Sequence, residues 1–206
     1  QIAATGIVPT SMGLQEKPLF KDGDTATAKE LFQEALKEQN LSSNKLPTIT
    51  MLYVASEENH RLAQALQSQW FEAFNVHVNL ESTERKLFFD RCSKSNYILA
   101  ISDWQADFND PINFLEVFKT KAVGTNNTNW ENTSYSQLLT TSYACTDKKE
   151  RLNTLRTSEE LIINEMPIVP LYHYAMTSIK DSKLKGVVLN SMGNIDFKHA
   201  YLDKSE

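Results

Sequence analysis

Hydrophobic residues in the first half of the chain follow two spacings in turn, one typical of helices and one typical of strands. Apolar positions three and four residues apart predict three helices, which begin near Asp24, Ser56 and Arg85. Apolar or alternating runs predict three strands, at 48–54, 76–80 and 97–102. The order α, β, α, β, α, β predicts an α/β fold with a largely parallel sheet flanked by helices.

The same spacing predicts which side chains of these helices are buried. On the first helix they are Ala28, Leu31, Phe32, Ala35 and Leu36. On the second they are Leu62, Ala65, Leu66, Gln69, Trp70, Ala73 and Phe74. The short third helix contributes Leu87, Phe88 and Phe89.

The rest of the chain is less regular. Breakers such as Pro9 and Gly13 predict an irregular segment over residues 1–23. Polar residues 119–133 predict a long loop, which is followed by helices at 135–143 and from Asp147 to just before Pro167. A strand is predicted at 168–174, and a short, mixed tail with one apolar run, 187–189, follows from Ala175.

Composition narrows the class of protein. The 206 residues suffice for one domain, or one domain and a tail, and the net charge of −5 argues against binding to nucleic acid or to an anionic membrane. No apolar run approaches the roughly 18 residues that span a bilayer. The first residues, 1–6, lack the basic and apolar regions of a signal peptide.

Motifs for catalysis and metal binding are not found in the sequence. There is no G-x-S-x-G, H-E-x-x-H or glycine-rich phosphate loop, so neither an enzyme nor a bound cofactor is expected. Asp103, Asp107 and Asp110 lack the glycine and the distal glutamate of a calcium-binding EF-hand loop. Cys92 and Cys145 have no metal-binding spacing, and we favour two free thiols over a disulfide.

The most informative stretch is 97–111, where an apolar run changes abruptly into an acidic loop. Asp103, Asp107 and Asp110 surround Trp104 and Phe108 there, and a proline and a predicted helix follow. Open α/β domains place ligand sites where a strand ends before a helix. The residues alone leave open a simpler interpretation, a surface turn with two buried aromatic side chains.

This loop also carries a resemblance. Trp104 to Pro111 (WQADFNDP), followed by Phe114-Leu115, resembles the W-x-A-D-[YF]-x-[DE]-P-x-x-F-L signature of peptide-binding proteins of bacterial ABC transporters, the family 5 extracellular solute-binding proteins. Residues 62–70 resemble the helix before that family's second strand, and residues 167–174 (PIVPLYHY) resemble its V-P-[LV]-Y-x-Y segment. The resemblance implies a periplasmic-binding-protein-like lobe.

The resemblance further implies that the chain is a C-terminal fragment, because members of the family are much longer. Residues 1–174 would form the second, ligand-binding lobe, and residues 175–206 would cross back toward the first lobe. The whole protein would be a monomer that captures short peptides for an ABC permease, without chemistry. It would be periplasmic, or a lipoprotein anchored at the outer face of the inner membrane. Binding of another peptide-like solute, such as a murein peptide, and a stand-alone protein-interaction domain remain alternatives.

The family's motif assigns candidate roles to the loop. The aspartate of A-D-[YF], here Asp107, would pair with the α-ammonium of a peptide, although a turn or helix-capping aspartate is the alternative. Trp104 would pack against a ligand side chain or lie in the core. Ser102, Asp103 and Gln105 would bind an extended peptide through their main chain. Asp103 departs from the small residue that often precedes this tryptophan.

A second part of the predicted site is the segment before the tail. Tyr174 is expected to contact the ligand, and His173 is included beside it, although each could be structural. Some relatives hold the peptide carboxylate with arginines, but Ile101 and Cys92 stand near those places here, and Arg91 is offset. The sequence therefore leaves recognition of the peptide C-terminus open.

Overall fold

The computed structural model describes residues 1–14, 17–122, 124–190 and 192–203. The α-helices in these residues are Thr25–Glu38 (α1), Glu57–Phe74 (α2), Arg85–Ser93 (α3), Ile112–Leu115 (α4), Thr133–Ala144 (α5) and Lys148–Glu165 (α6). The strands are Ile2–Ala3 (β1), Ile49–Val54 (β2), Val78–Thr83 (β3), Leu99–Ala100 (β4), Tyr172–His173 (β5), Leu184–Lys185 (β6), Val188–Leu189 (β7), Ile195–Asp196 (β8) and Tyr201–Leu202 (β9). Short 3-10 turns lie at Thr10–Met12, Ser43–Lys45 and Glu116–Phe118.

The chain divides into two compact units, each with a hydrophobic core of its own. Unit 1 consists of Gln1–Asp22, Gln105–Val123 and Trp130–Glu206. Unit 2 consists of Gly23–Trp104 and Gly124–Asn129. The chain thus passes from unit 2 to unit 1 within the acidic loop.

Unit 2 contains the predicted parallel sheet. Its strand order is β3-β2-β4, and both neighbouring pairs are parallel. The third strand is shorter than the predicted 97–102, because only Leu99 and Ala100 pair with β2. The Ile101 N–H still donates to the Leu52 carbonyl at 2.8 Å, after which the chain leaves the sheet.

The central strand β2 is buried on both faces. Met51 and Tyr53 belong to one hydrophobic cluster, which also contains Ala63 of α2. Leu52 belongs to another, with Phe88 and Cys92 of α3. A strand covered on both faces reads as a continuous apolar run, which explains why β2 could be predicted from the sequence.

The helices of unit 2 begin where predicted, but part of the predicted burial is wrong. The Asp24 and Ser56 side chains cap α1 and α2 by accepting backbone N–H groups at 3.3 and 3.1 Å. Several side chains expected inside are exposed: Leu31, Ala35, Ala65, Gln69, Leu87 and Phe89. The sheet formed by the described residues has three strands, and α1 packs on α2. The neighbouring elements therefore bury a narrower part of each helix surface than the width of its apolar stripe suggests.

The core of unit 1 is built from helices. Tyr135 and Leu139 of α5 pack with Leu155 and Ile162 of α6, together with Leu115 of α4. The predicted start of α6 is confirmed, since the Asp147 side chain accepts the Glu150 N–H at 2.8 Å.

The N-terminal segment is more deeply buried in the core of unit 1 than its irregular sequence suggested. Ile7, Val8 and Leu14 are buried members of the unit 1 core. Glu159 of α6 is fully buried, and its Oε1 accepts the N–H groups of Ile7 and Val8 at 2.8 Å each. A carboxylate shared by two consecutive amides attaches this segment firmly to α6.

The strand predicted at 168–174 is mostly irregular. Only β5 forms a ladder, with His173 opposite Ile2 and Tyr172 opposite Ala3 of β1. Pro170 has no N–H to donate, which keeps the ladder short. In the tail, β6 pairs with β9 and β7 with β8, both antiparallel.

Two further features bear on the protein class. Cys92 and Cys145 are free thiols, as predicted. Among the described residues, no helix is both long enough and apolar enough to cross a membrane.

Candidate ligand-binding site

Local hydrogen bonds fold the acidic loop tightly before α4. The Asp110 N–H donates to the Phe108 carbonyl at 2.9 Å, and the Asn113 N–H donates to the Asp110 carbonyl at 3.1 Å. Asp110 Oδ1 accepts the Ile112 N–H at 2.9 Å, so its side chain caps the start of this turn. The backbone after Phe108 is therefore fixed by its own turn.

An arginine from α6 holds this turn from outside. Arg151 donates from both terminal guanidinium nitrogens to the two carboxylate oxygens of Asp110. The side chains are about three-quarters buried, with exposures of 24% for Arg151 and 29% for Asp110. Two parallel bonds fix the orientation of both groups more strictly than one would.

Asp107 differs from Asp110 in that its carboxylate is exposed. Within residues 1–14, 17–122, 124–190 and 192–203, no hydrogen bond or ion pair involves that carboxylate, and the helix cap is provided by Asp110 instead. Its backbone is held, since the Asp107 N–H donates to Oδ1 of the buried Asn113 at 3.1 Å. The arrangement presents a negative charge to solvent from a fixed main chain.

The neighbouring candidates lie at the end of unit 2 and the start of unit 1. Ser102, Asp103 and Gln105 are exposed, and in the described part of the chain no hydrogen bond of theirs is found. Trp104 is also exposed, at 38%, so the interpretation as a buried core tryptophan is wrong. Phe108, at 47%, is likewise not buried. Exposed aromatic rings and main-chain groups are the kinds of group that can contact a peptide.

The remaining candidates, His173 and Tyr174, lie on another element of unit 1. Tyr174 is 56% exposed, and its ring stands edge-on to Tyr172 with 5.3 Å between centroids. His173 is half-buried in β5, and burial lowers the pKa of its imidazole. Tyr174 is therefore not the buried structural tyrosine that the sequence left as an alternative.

Arg91, the offset arginine, is engaged within unit 2. Its guanidinium donates to both carboxylate oxygens of Glu81, at 2.5 and 3.2 Å, and to the Asn96 carbonyl at 3.2 Å. The hydrogen bonds from Arg91 hold the pKa of the Glu81 carboxyl below its usual value. The pair lines a cavity of about 320 Å³ with Thr50 and Tyr97. To hold a ligand carboxylate, Arg91 would first have to leave Glu81.

Sequence reasoning missed two residues that organise the loop. Asn113 interrupts the apolar run after Pro111, and a polar residue among expected core positions is a usable signal. Arg151 lies 41 positions from Asp110, so no local pattern connects the two residues. Among the described residues, no group of three histidine, cysteine, aspartate or glutamate side chains is arranged to hold a metal ion.

The parallel sheet and the exposed loop that follows it define an α/β protein of the periplasmic-binding-protein-like class. The family model for bacterial extracellular solute-binding proteins, family 5 Middle, matches residues 1–126. Because the match covers more than half of the chain, the chain belongs to this family, as the loop motif indicated.

Three relatives illustrate the relationship. The oligopeptide-binding protein OppA of Bacillus subtilis strain 168 is 38% identical over 202 residues, which cover 97% of this chain and 37% of the relative. The periplasmic murein peptide-binding protein MppA of Escherichia coli K12 is 26% identical over 149 residues, covering 72% of this chain and 28% of the relative. The crystal structure of Haemophilus influenzae OppA in complex with the peptide RPPGFSPFR matches 99% of this chain and 41% of its own, with 25% identity and a TM-score of 0.81. The chain thus spans about a third of the length of these relatives.

Proposed function

We propose that the chain is the C-terminal part of a bacterial peptide-binding protein that captures short peptides for uptake through an ABC permease. Residues 1–174 would form the second, ligand-binding lobe, and residues 175–206 would cross back toward the first lobe. The protein acts by binding alone, without a cofactor or a chemical step. The observation that carries the proposal is the exposed Asp107 carboxylate on a loop whose neighbouring carboxylate is already paired.

The α-ammonium of a peptide is the ligand group that fits this carboxylate. Arg151 neutralises Asp110, whereas the Asp107 charge has no protein cation beside it among the described residues. A prefolded loop loses little conformational entropy when a ligand binds, so more of the attraction appears as affinity. Closure of a second lobe would exclude water and strengthen the same charge pair.

The main chain before Asp107 suits a ligand of variable sequence. An extended peptide can add beside Ser102, Asp103 and Gln105 and exchange backbone hydrogen bonds, which do not depend on side-chain identity. The exposed rings of Trp104 and, in the β5 segment, Tyr174 with its neighbour His173 would contact ligand side chains. Such a site would accept many peptides that share only a free N-terminus.

The expected location follows from the family, whose members are described as extracellular solute-binding proteins. We infer a monomer in the periplasm, or one anchored by a lipid at the outer face of the inner membrane. Its further partner would be the membrane permease of the transporter. A murein peptide is a second candidate ligand, since one relative is a murein peptide-binding protein.

Calorimetric titration of the two-lobed protein that contains this chain tests the proposal. Short peptides should bind, and their N-acetylated forms should not, because acetylation removes the ammonium. A murein tripeptide in parallel distinguishes the two ligand classes. Binding that is indifferent to acetylation would refute the role of Asp107, and failure to bind any peptide would favour a protein-interaction domain.

A further inference from the structure

Asn113 connects the core of unit 1 to the main chain of the proposed ammonium-binding residue. Its side chain is only 3% exposed, and its Oδ1 accepts the Asp107 N–H at 3.1 Å. We propose that Asn113 is a positioning residue, which fixes the backbone of Asp107 and so aims its carboxylate at the ligand. This inference rests on the proposed function of Asp107.

The position of Asn113 suits this role because its own backbone is fixed. It stands in the first turn of α4, and its N–H donates to the Asp110 carbonyl at 3.1 Å. The Asp110 side chain is not part of this link. The bond from Asp107 to Asn113 therefore ties an exposed residue to the main chain of the turn.

Without that bond, little would hold the Asp107 backbone. Asp107 is exposed, and the next residue, Phe108, is 47% exposed, so burial contributes little to fixing this segment. The carboxylate would then sample several orientations. Restricting it to one orientation when the ligand binds would cost conformational entropy and weaken binding.

The chemistry of an asparagine side chain is suited to the task. Its amide oxygen accepts an N–H and carries no charge, so it does not compete with Asp107 for a cation. An aspartate at position 113 would keep the acceptor but add a second, buried negative charge. An alanine would remove the acceptor and leave the Asp107 N–H without this partner.

A double-mutant cycle in the two-lobed protein tests the inference. The variants are Asp107→Asn, Asn113→Ala and the combination, titrated with a free-amine peptide tight enough for all four proteins to be measured. Asn113→Ala should weaken binding about tenfold in the wild-type background, the effect of one hydrogen bond lost at the site. It should weaken binding less than about twofold when Asp107 is already asparagine.

Equal losses in both backgrounds, or no loss in either, would overturn the positioning role. If Asp107→Asn alone leaves affinity unchanged, the proposed role of Asp107 fails instead, so the two failures are distinct. Asn132→Ala is the matched control. Like Asn113, Asn132 accepts a backbone N–H in unit 1, that of Tyr135 at 3.0 Å, and it donates to Glu165 at 2.7 Å. Its loss should lower the melting temperature and leave affinity intact.

Amide hydrogen exchange of the wild-type protein gives a second test that needs no variant. With a buried acceptor, the Asp107 N–H should exchange at least about tenfold more slowly than an unstructured amide, even without ligand. Exchange at the rate of an unstructured loop would overturn the inference. Because this test uses the wild-type protein, it can be carried out even if Asn113→Ala does not fold.

Discussion

Arg151 binds Asp110 through both terminal guanidinium nitrogens, with Nη1 2.9 Å from Oδ2 and Nη2 3.0 Å from Oδ1. The same carboxylate accepts the Ile112 N–H, so Asp110 is committed to the fold. Asp107 lies three positions earlier on the same loop, but its carboxylate faces solvent. Two aspartates of one motif therefore have separable roles, one in stability and the other, as proposed, in binding.

Replacing Asp110 by asparagine should lower stability and leave peptide affinity nearly unchanged. The substitution removes the partner of a largely buried arginine and weakens a helix cap, which together cost about 1–3 kcal/mol of the free energy of unfolding. Denaturant unfolding and peptide titration of the same variant measure the two effects. An affinity loss as large as that of Asp107→Asn would instead indicate a diffuse acidic patch or a metal site.

Glu159→Ala should destabilise unit 1 strongly. The change leaves the buried N–H groups of Ile7 and Val8 without their 2.8 Å acceptor, at an expected cost of about 2–5 kcal/mol. Glu160→Ala is the matched control, because Glu160 is the next residue of α6 and is exposed. Denaturant unfolding checks both variants, and equal stabilities would show that the bonds from Glu159 contribute little.

His173 should make the protein less stable in acid. Because burial lowers the pKa of its imidazole, the unfolded chain binds the proton more readily than the folded one. This contribution is fully present above the unfolded pKa of about 6.5, and is lost as pH falls through the lower folded pKa. In an NMR titration, with the His173 signal assigned by comparison with His173→Gln, the imidazole should titrate with a midpoint below 6.5. The melting temperature of His173→Gln should fall less steeply with decreasing pH than that of the wild-type protein. A midpoint at or above 6.5 would contradict the prediction.

Part of the fold could be predicted because the relevant signals are local. The apolar run of β2 and the capping side chains Asp24, Ser56 and Asp147 depend on neighbours a few residues away. The exposure of Leu31 could not be predicted, because periodicity shows which face of a helix is apolar but not how much of it a neighbour covers.

The candidate site could likewise be predicted from the sequence only where its residues lie close together in the chain. The loop motif indicated Asp107 from residues close together in sequence. The partners that hold the loop are a buried asparagine at its far end and Arg151 on a distant helix. Contacts between segments far apart in sequence produce no periodic pattern, so the role of Arg151 could not be predicted from the sequence.

This chain by itself should bind peptides only weakly. Ligands of two-lobed binding proteins are enclosed when the lobes close, and one lobe alone leaves much of a peptide in contact with water. Peptide groups that would pair with the other lobe then stay solvated and contribute little to affinity. Titration of the 206-residue chain with peptides that bind the two-lobed protein measures the difference. A dissociation constant in the micromolar range or better for the chain alone would contradict the prediction.

Asp107→Asn is the most direct test of the proposed site. Asparagine keeps the size and hydrogen-bonding capacity of the side chain but removes its charge. If the carboxylate pairs with a peptide ammonium that lobe closure desolvates, binding to the two-lobed protein should weaken by about 2–5 kcal/mol, because the ammonium is left buried and unpaired. Stability should change little, since within the described residues the Asp107 carboxylate has no hydrogen-bond or ionic partner to lose.

A turn or capping aspartate would give the opposite result, unchanged affinity and a stability loss of roughly 0.5–2 kcal/mol. One titration and one melting experiment on this variant therefore decide between the two interpretations, with Asp110→Asn as the control that should show the second pattern.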